Sequence, residues 1–494
     1  MRITNNMITN NTKGNINGNK LLVDGYNTQM TTQKKISKAS EDPVIAIRSL
    51  RLSTSLSHIN QYVDNNIPDA AAWLDVTYTA LNNMYQLVKD IRTQCVNGST
   101  DTLTSDDRKT ILESLQSMAS QIYTEGNADY AGRTVFTGYR TGSNLTFDQD
   151  EAETSYQISQ QMSYEDMEEQ RYYSGDVVVP DDASATCTTE IAVENYDRIR
   201  VAYDGIDRVD SFSYTGADGK TTELVPIVYE TAKEWETACG GQKVVEDDKL
   251  VFIRESGELI FGKDIAADMR SQHAQFDITY TKTGFASGEL RPEYYYNCTD
   301  ITDKSMDNHI TYTKEDQQIQ YTIAASTPLT VNTQASDVFD SSIARDVGEM
   351  INIVQDAISA HDKVDQIEAM MNEAKYADPA SQEKLQTYLD AAKKEADYAD
   401  DHLRRTYEKY IGNFDQYMSS INVAITNVGS MQNRLQMTQT RVENQQMTIK
   451  ELKSSNEDRD ISDIIIDYTA AYNAYQASLT AASKVGQQTL LDYL

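Results

Sequence analysis

Residues 67–95 read IPDAAAWLDVTYTALNNMYQLVKDIRTQC, and within them Ile67, Leu74, Leu81, Val88 and Cys95 recur at every seventh position. Ala70, Met84 and Ile91 fall three places after members of that series, which completes the a/d seam of a long amphipathic helix. Pro68 conflicts with the pattern, because proline inside a helix removes a hydrogen bond and costs about 3 kcal/mol. The stretch predicts a helix that either kinks at Pro68 or begins there.

A seam of this kind needs a partner, since an isolated helix is marginal in water while each buried Leu, Ile or Val contributes roughly 1.5–3 kcal/mol. A second seam lies near the far end, where Ile421, Val428, Leu435, Val442 and Ile449 repeat at seven-residue spacing beside Ala424, Met431 and Leu452. Polar Thr438 and Gln445 weaken its d positions. A third stretch, Asp106 to about Glu125, places Ile111, Leu115, Met118 and Ile122 on one face behind an acidic first turn, which suits the helix dipole. Packing the N-terminal helices against the C-terminal ones gives an antiparallel bundle. An ordinary helical core explains such stripes equally well, so they assign a bundle and no function.

Upstream, residues 37–50 read SKASEDPVIAIRSL. Ser40, Asp42 and Pro43 form a helix-start motif, with Asp42 as N-cap and Pro43 at the first helical position. It is readable as a cap alone or as a cap that also carries an inter-subunit contact. Near the end, Tyr468, Tyr472, Tyr475, Leu479, Ala482 and Val485 recur at spacings of three, four and seven, a stripe suited to contact between helices or subunits.

The middle of the chain changes character. IRVAYDG, QFDITYTKTG and IQYTIAA alternate apolar and polar residues between turns such as GADGK and ESGE, which predicts short strands in hairpins. Asp and Glu against Lys and Arg number 14 and 14 in residues 1–149, 38 and 15 in 150–340, and 24 and 15 in 341–494. The middle is expected to face water and the ends to face protein. Residues 362–407, rich in Ala, Lys, Glu and Asp with a turn at DPAS, predict a solvated helical insertion whose second helix starts at Pro379. The fold expected is α+β. A helical bundle of residues 41–147 and 341–464 surrounds an inserted β-rich domain of 148–340, and residues 1–40 pair with 465–494.

Composition excludes several functions. A net charge of −32 opposes nucleic-acid binding, which needs a basic surface. No apolar run approaches the ~20 residues that span a bilayer, and the start MRITNNMITNN offers no signal-peptide core, so neither membrane insertion nor the Sec route is expected. Cys95, Cys187, Cys239 and Cys298 lie too far apart to define a metal site, and the five histidines are scattered. No HExxH, GxSxG, phosphate loop or dinucleotide fingerprint occurs, so no catalytic residue, metal or cofactor is assigned. Tyr294, Tyr295 and Tyr296 leave a remote alternative, a carbohydrate-binding module in which they stack on sugar.

MRITNNMITNN, SKASEDPVIAIRSL, LNNMYQLVKDIRTQCVNGSTDTLTSDDR, AGRTVFTGYRTG and the closing ISDIIIDYTAAYNAYQASLTAASKVGQQTLLDYL together resemble the flagellar hook-associated protein 3 family, relatives of flagellin. The resemblance covers roughly residues 1–147, 308–360 and 411–494. It implies a structural, non-enzymatic role in a ring of subunits at the hook–filament junction, on hook-associated protein 1 and receiving flagellin. It also implies type III export without a cleaved signal, and a helical export chaperone, for which Leu490, Leu491, Tyr493 and Leu494 are candidate contacts. A flagellin-like filament subunit is the alternative. Residues 1–36, Asn- and Thr-rich with sparse apolar positions, are expected to order on assembly.

Overall fold

Helix occupies both ends of the chain and strand its middle, an α+β arrangement. The computed structural model describes residues 5–99, 105–119, 121–217, 219–241 and 243–487. Its helices are α1 (Asn5–Thr32), α2 (Pro43–Gln61), α3 (Ile67–Gly98), α4 (Ser105–Ala119), α5 (Ala232–Ala238), α6 (Lys263–Ser271), α7 (Ser342–Met371), α8 (Pro379–Glu457) and α9 (Ile461–Gln487). The strands are β1 (Asp129–Tyr130), β2 (Arg133–Thr134), β3 (Glu151–Ser163), β4 (Glu168–Ser174), β5 (Ala192–Arg200), β6 (Arg208–Thr215), β7 (Thr221–Glu223) and β8 (Ile227–Tyr229). They continue as β9 (Leu250–Ile253), β10 (Glu258–Phe261), β11 (Gln275–Phe285), β12 (Asn297–Asp300), β13 (Ile310–Tyr312), β14 (Gln320–Ala324) and β15 (Thr327–Thr330).

Contacts divide the chain into two compact units, the first comprising Met1–Ala71, Tyr321–Leu329 and Asn433–Leu494, the second Ala72–Gln320 and Thr330–Gln432. The charge breaks near residues 148 and 340 are therefore not unit boundaries. Within the second unit, buried ion pairs tie α7 to β5, and an apolar cluster ties α7 and α8 to the loop between β4 and β5.

Pro68 is the second residue of α3, which begins at Ile67, and the backbone stays helical up to it. Between α2 and α3 the backbone passes through a π turn, Tyr62–Asn66, whose closing N–H, from Ile67, reaches back to the Tyr62 carbonyl. The wider turn gives the proline ring room against the preceding carbonyls.

In the first unit α1 lies along α9, and Asn19 Nδ2 donates to Ser478 Oγ at 3.2 Å. Asn60 and Asn456 link α2 to the end of α8: Gln446 Nε2 donates to Asn60 Oδ1 (2.8 Å) and Asn456 Nδ2 to the Ile45 carbonyl (3.1 Å). The β14–β15 hairpin is held by Asn66 Nδ2 donating to the Thr322 carbonyl at 2.7 Å.

The second unit has two sheets with strand orders β4-β5-β10-β9-β8 and β13-β12-β3-β11-β6-β7, antiparallel except for the parallel β8–β9 pair. They close on one core containing Ile158, Ile199, Phe212, Phe252, Leu259, Phe261, Phe276 and Tyr280, with Met269 of α6. Ala131 and Gly132, both at positive φ, make the two-residue turn that joins β1 to β2.

Helices α3, α4, α7 and α8 contribute the unit's helical part. Arg92 of α3 forms a two-point ion pair with Asp415 of α8, at 2.6 and 3.1 Å. Gly98 is required by close approach, because a Cβ there would stand 2.6 Å from the Tyr407 ring. Helix α4 ends at Ala119, short of Glu125, yet Ile122 in the following turn is fully buried. Helix α8 begins at Pro379, with the Asp378 carboxylate accepting from Ser381 N at 2.9 Å. The hairpin of α7 and α8 is not simply solvated: Ile367, Leu389 and Ala392 form a cluster with Val177 and Ile191.

Nor is the acidic middle wholly exposed. Arg198 and Arg200 of β5 both pair with Glu349 of α7, and Arg198 also binds Glu258 while Arg200 binds Asp346. Asp346, fully buried, accepts from Asn413 Nδ2 (3.0 Å) and Tyr417 Oη (2.8 Å) of α8. Burial raises the pKa of Glu349, but Arg198 and Arg200 outweigh it and hold the carboxyl well below the usual range. Removing one member leaves its buried partners short of a counter-charge or a hydrogen-bond acceptor. Asp346→Ala is expected to destabilise the second unit by about 3–5 kcal/mol, measured by urea denaturation, because Arg200 and Tyr417 then lose their buried acceptor.

Candidate assembly surface

The seam residues near the start of α3 mark a sharp change in burial. No side chain from residue 6 to 66 is buried, and the first that is, Ile67, opens a series in which Leu74, Leu81, Val88 and Cys95 are at most 1% exposed. The far seam mirrors this. Ile421, Val428, Leu435 and Val442 are buried, Ile449 is half-buried, and beyond Val442 only Ile464 and Ala471 are buried among the described residues.

What the first unit presents instead is bare apolar surface. Val44, Ile47 and Leu50 of α2, three residues apart, are 75%, 54% and 67% exposed. Leu21 and Leu22 of α1, Met437 and Met447 of α8 and Ile461, Ile465 and Ile466 of α9 are exposed too. Helices of 28, 19 and 27 residues that bury this little are marginal by themselves.

Sequence reading missed the way α1 meets α9. Thr12, Ile16, Asn19, Val23, Tyr26 and Met30 of α1 are half-buried at alternating spacings of four and three, opposite Ile464, Tyr468, Ala471, Tyr475 and Ser478 of α9. The heptad was present in the sequence, but Thr12 and Asn19 occupy positions where an apolar search finds nothing. The α9 stripe accordingly divides: Tyr468 and Tyr475 are half-buried, whereas Tyr472 and Leu479 are exposed, the Tyr468 and Tyr472 rings stacking at 6.1 Å. Leu490, Leu491, Tyr493 and Leu494 lie outside the described residues, as does the side chain of Val485.

The turns that join these helices are clasped together. Gln33, at φ 55°, ends α1, and Lys35 N donates to the Glu457 carbonyl at 2.7 Å while Arg459 N donates to that of Gln33 at 3.0 Å. Lys34 Nζ bonds Asp458 (2.5 Å) and Glu457 (3.0 Å), and Arg459 reaches Gln29 Oε1 (2.9 Å) and Asp467. The hydrogen bond to Asp458, then that to Glu457, raises the Lys34 pKa. Their exposure limits such pairs to about 0–1 kcal/mol each, so the paired backbone carries the register.

At the helix-start motif, Asp42 Oδ1 accepts from Val44 N (2.9 Å) and Ile45 N (3.1 Å), and Pro43 is the first helical residue. Ser40 sits in the preceding turn, where Glu41 accepts from Ser37 N at 2.7 Å. Of the tyrosine run, Tyr295 is buried, Tyr294 and Tyr296 are half-buried, and Tyr296 Oη shares a hydrogen bond with Ser341 Oγ at 2.6 Å.

These ends match known proteins. The bacterial flagellin N-terminal helical region matches residues 3–141 and the flagellin C-terminal helical region residues 411–494. Flagellar hook-associated protein 3 of Escherichia coli is 27% identical over 117 residues, 24% of this chain and 37% of that protein. A flagellin of Clostridium tyrobutyricum is 23% identical over 160 residues, 32% of this chain and 41% of that one. A flagellar hook-associated protein of Vibrio parahaemolyticus has a solved structure that matches with TM-score 0.38 at 12% identity, covering 85% of this chain and all of that one. The chain thus spans about two fifths of the length of the curated relatives it matches. It is flagellin-like at both ends. Flagellar hook-associated protein 3 of Salmonella typhimurium is similar as well, 28% identical over 122 residues, 24% of this chain and 38% of that protein.

Asp42→Ala is expected to cost about 1 kcal/mol, seen as faster amide exchange at residues 44–46, because two first-turn amides lose their acceptor. Ser40→Ala should leave that exchange near wild type.

Proposed function

We propose that this chain is a structural subunit of the bacterial flagellum that joins hook to filament as a ring of identical subunits. The observation that carries the reading is the bare apolar surface of the first unit, built from segments that match the flagellin terminal regions. Apolar helix faces left uncovered in one chain are stable only when neighbouring chains cover them. On this reading Val44, Ile47 and Leu50, with Tyr472 and Leu479, contact adjacent subunits, hook-associated protein 1 below and flagellin above. The chain leaves the cell by the flagellar type III route, with a chaperone on its C-terminal helix, and acts outside it without catalysis. No helix is long and apolar enough to cross a membrane among the described residues.

A filament subunit is the second reading, favoured by the match to a flagellin. Deleting the gene separates them. Bare hooks with flagellin shed as monomer into the medium, seen by electron microscopy and immunoblot, are expected of a junction subunit. Retained hooks capped by filaments, with swimming intact, would overturn the proposal.

A further inference from the structure

Helix α2 and the last part of α8 run antiparallel as one pair, and each turns a different chemical face outward. Ile45, Ser49, Leu52, Leu56 and Ile59 of α2 are half-buried on the side that meets α8, where Asn456 Nδ2 bonds the Ile45 carbonyl and Gln446 Nε2 bonds Asn60. The facing residues of α8, Val442, Gln446, Ile449 and Lys453, are buried or half-buried. Helical geometry then sends Ile47 and Arg51, one turn apart, away from α8, with Val44 and Leu50 beside them. By the same geometry Met447 and Glu451, also one turn apart, point away from α2, in line with Asn444 and Met437. The two bare faces therefore lie on opposite sides of the pair.

Their charges are opposite as well. Helix α2 carries Arg48 and Arg51 and no carboxylate. The outward face of α8 carries Glu443 and Glu451, with Arg441 and Lys450 at its margins. Arg51 and Glu451 are exposed, and neither forms an ion pair within the described residues. A cation set among Val44, Ile47 and Leu50 disfavours a purely apolar cover, which would bury its charge unpaired. A surface with apolar carbon and a carboxylate suits it, and Met447 beside Glu451 is such a surface. The bonds at Ile45–Asn456 and Asn60–Gln446 bracket both charged residues, so Arg51 and Glu451 stand at about the same height along the pair. A neighbouring copy displaced sideways at constant height brings its Glu451 to this Arg51. Two different patches on opposite sides of a subunit make a heterologous contact, which repeats from copy to copy and ends in a closed ring or an open helix.

We infer that α2 of each copy packs on the outward face of α8 in the next copy, head to tail, with Arg51 paired to Glu451. This contact rests on the proposed reading in which identical subunits adjoin, and it serves a junction ring and a filament alike.

The test uses flagella from cells that make the full chain with a photoreactive p-benzoylphenylalanine in place of Leu50. Irradiation is expected to give a product of twice the chain's mass in which residue 50 is joined to α8 between residues 443 and 455, read by mass spectrometry. Because the two faces point apart, that link comes from two copies. Arg51→Glu and Glu451→Arg should each cut its yield about threefold or more, and the double variant should regain it. Both positions are exposed, so the Tm of each variant should match wild type, which separates a lost contact from a lost fold. Absence of the double-mass product, a link to α2 of the second copy, wild-type yield from both single variants, or no recovery in the double variant would each overturn the inference. A link to flagellin or hook-associated protein 1 alone would overturn it too while leaving the junction role standing, since gene deletion tests that role separately.

Discussion

An amphipathic helix is stable only when its apolar face is covered, and this chain meets that constraint in two different ways. From Ile67 onward the covering comes from the chain itself: the seam through Leu74, Leu81 and Val88 is sealed, and the helices around it are pinned by pairs such as Arg92–Asp415. Among the described residues before Ile67 nothing is buried. Val44, Ile47 and Leu50 have the spacing of a core-facing stripe and face water. That difference marks which part is finished in the monomer and which part awaits neighbours.

Within the second unit the sheets and helices are joined by charge as well as by apolar packing. Arg198 and Arg200 meet Glu349, Glu258 and Asp346 where a purely apolar contact would serve equally for stability. What an ion network adds is geometry, because a carboxylate must meet a guanidinium at fixed angles and so fixes how α7 lies on β5.

Much of this was legible in the sequence where one period dominated. The seven-residue repeats announced α3 and α8, Asp42-Pro43 announced the start of α2, and alternation announced strands such as β11. Pro68 was legible as a conflict but not in its resolution, since a π turn leaves no mark in side-chain pattern. Thr12 and Asn19 hid the α1 seam, because a polar residue at an a or d position removes the apolar repeat without removing the contact. Sheet order was beyond reach, as β3 pairs with β11 more than a hundred residues later and local pattern does not encode the partner. Counting charges read residues 150–340 as solvated, and missed that Arg198, Glu258 and Lys282 are buried in mutual pairing with other ions.

The central claim is that the first unit is completed by other chains, and hydrogen–deuterium exchange tests it most directly. In the free chain, amides of residues 6–61 and 446–484 should exchange at least tenfold faster than those of residues 74–95 and 343–367, and they should slow on assembly. Equal protection of both groups in the free monomer would contradict the account, because it would show that the terminal helices are stable without neighbours.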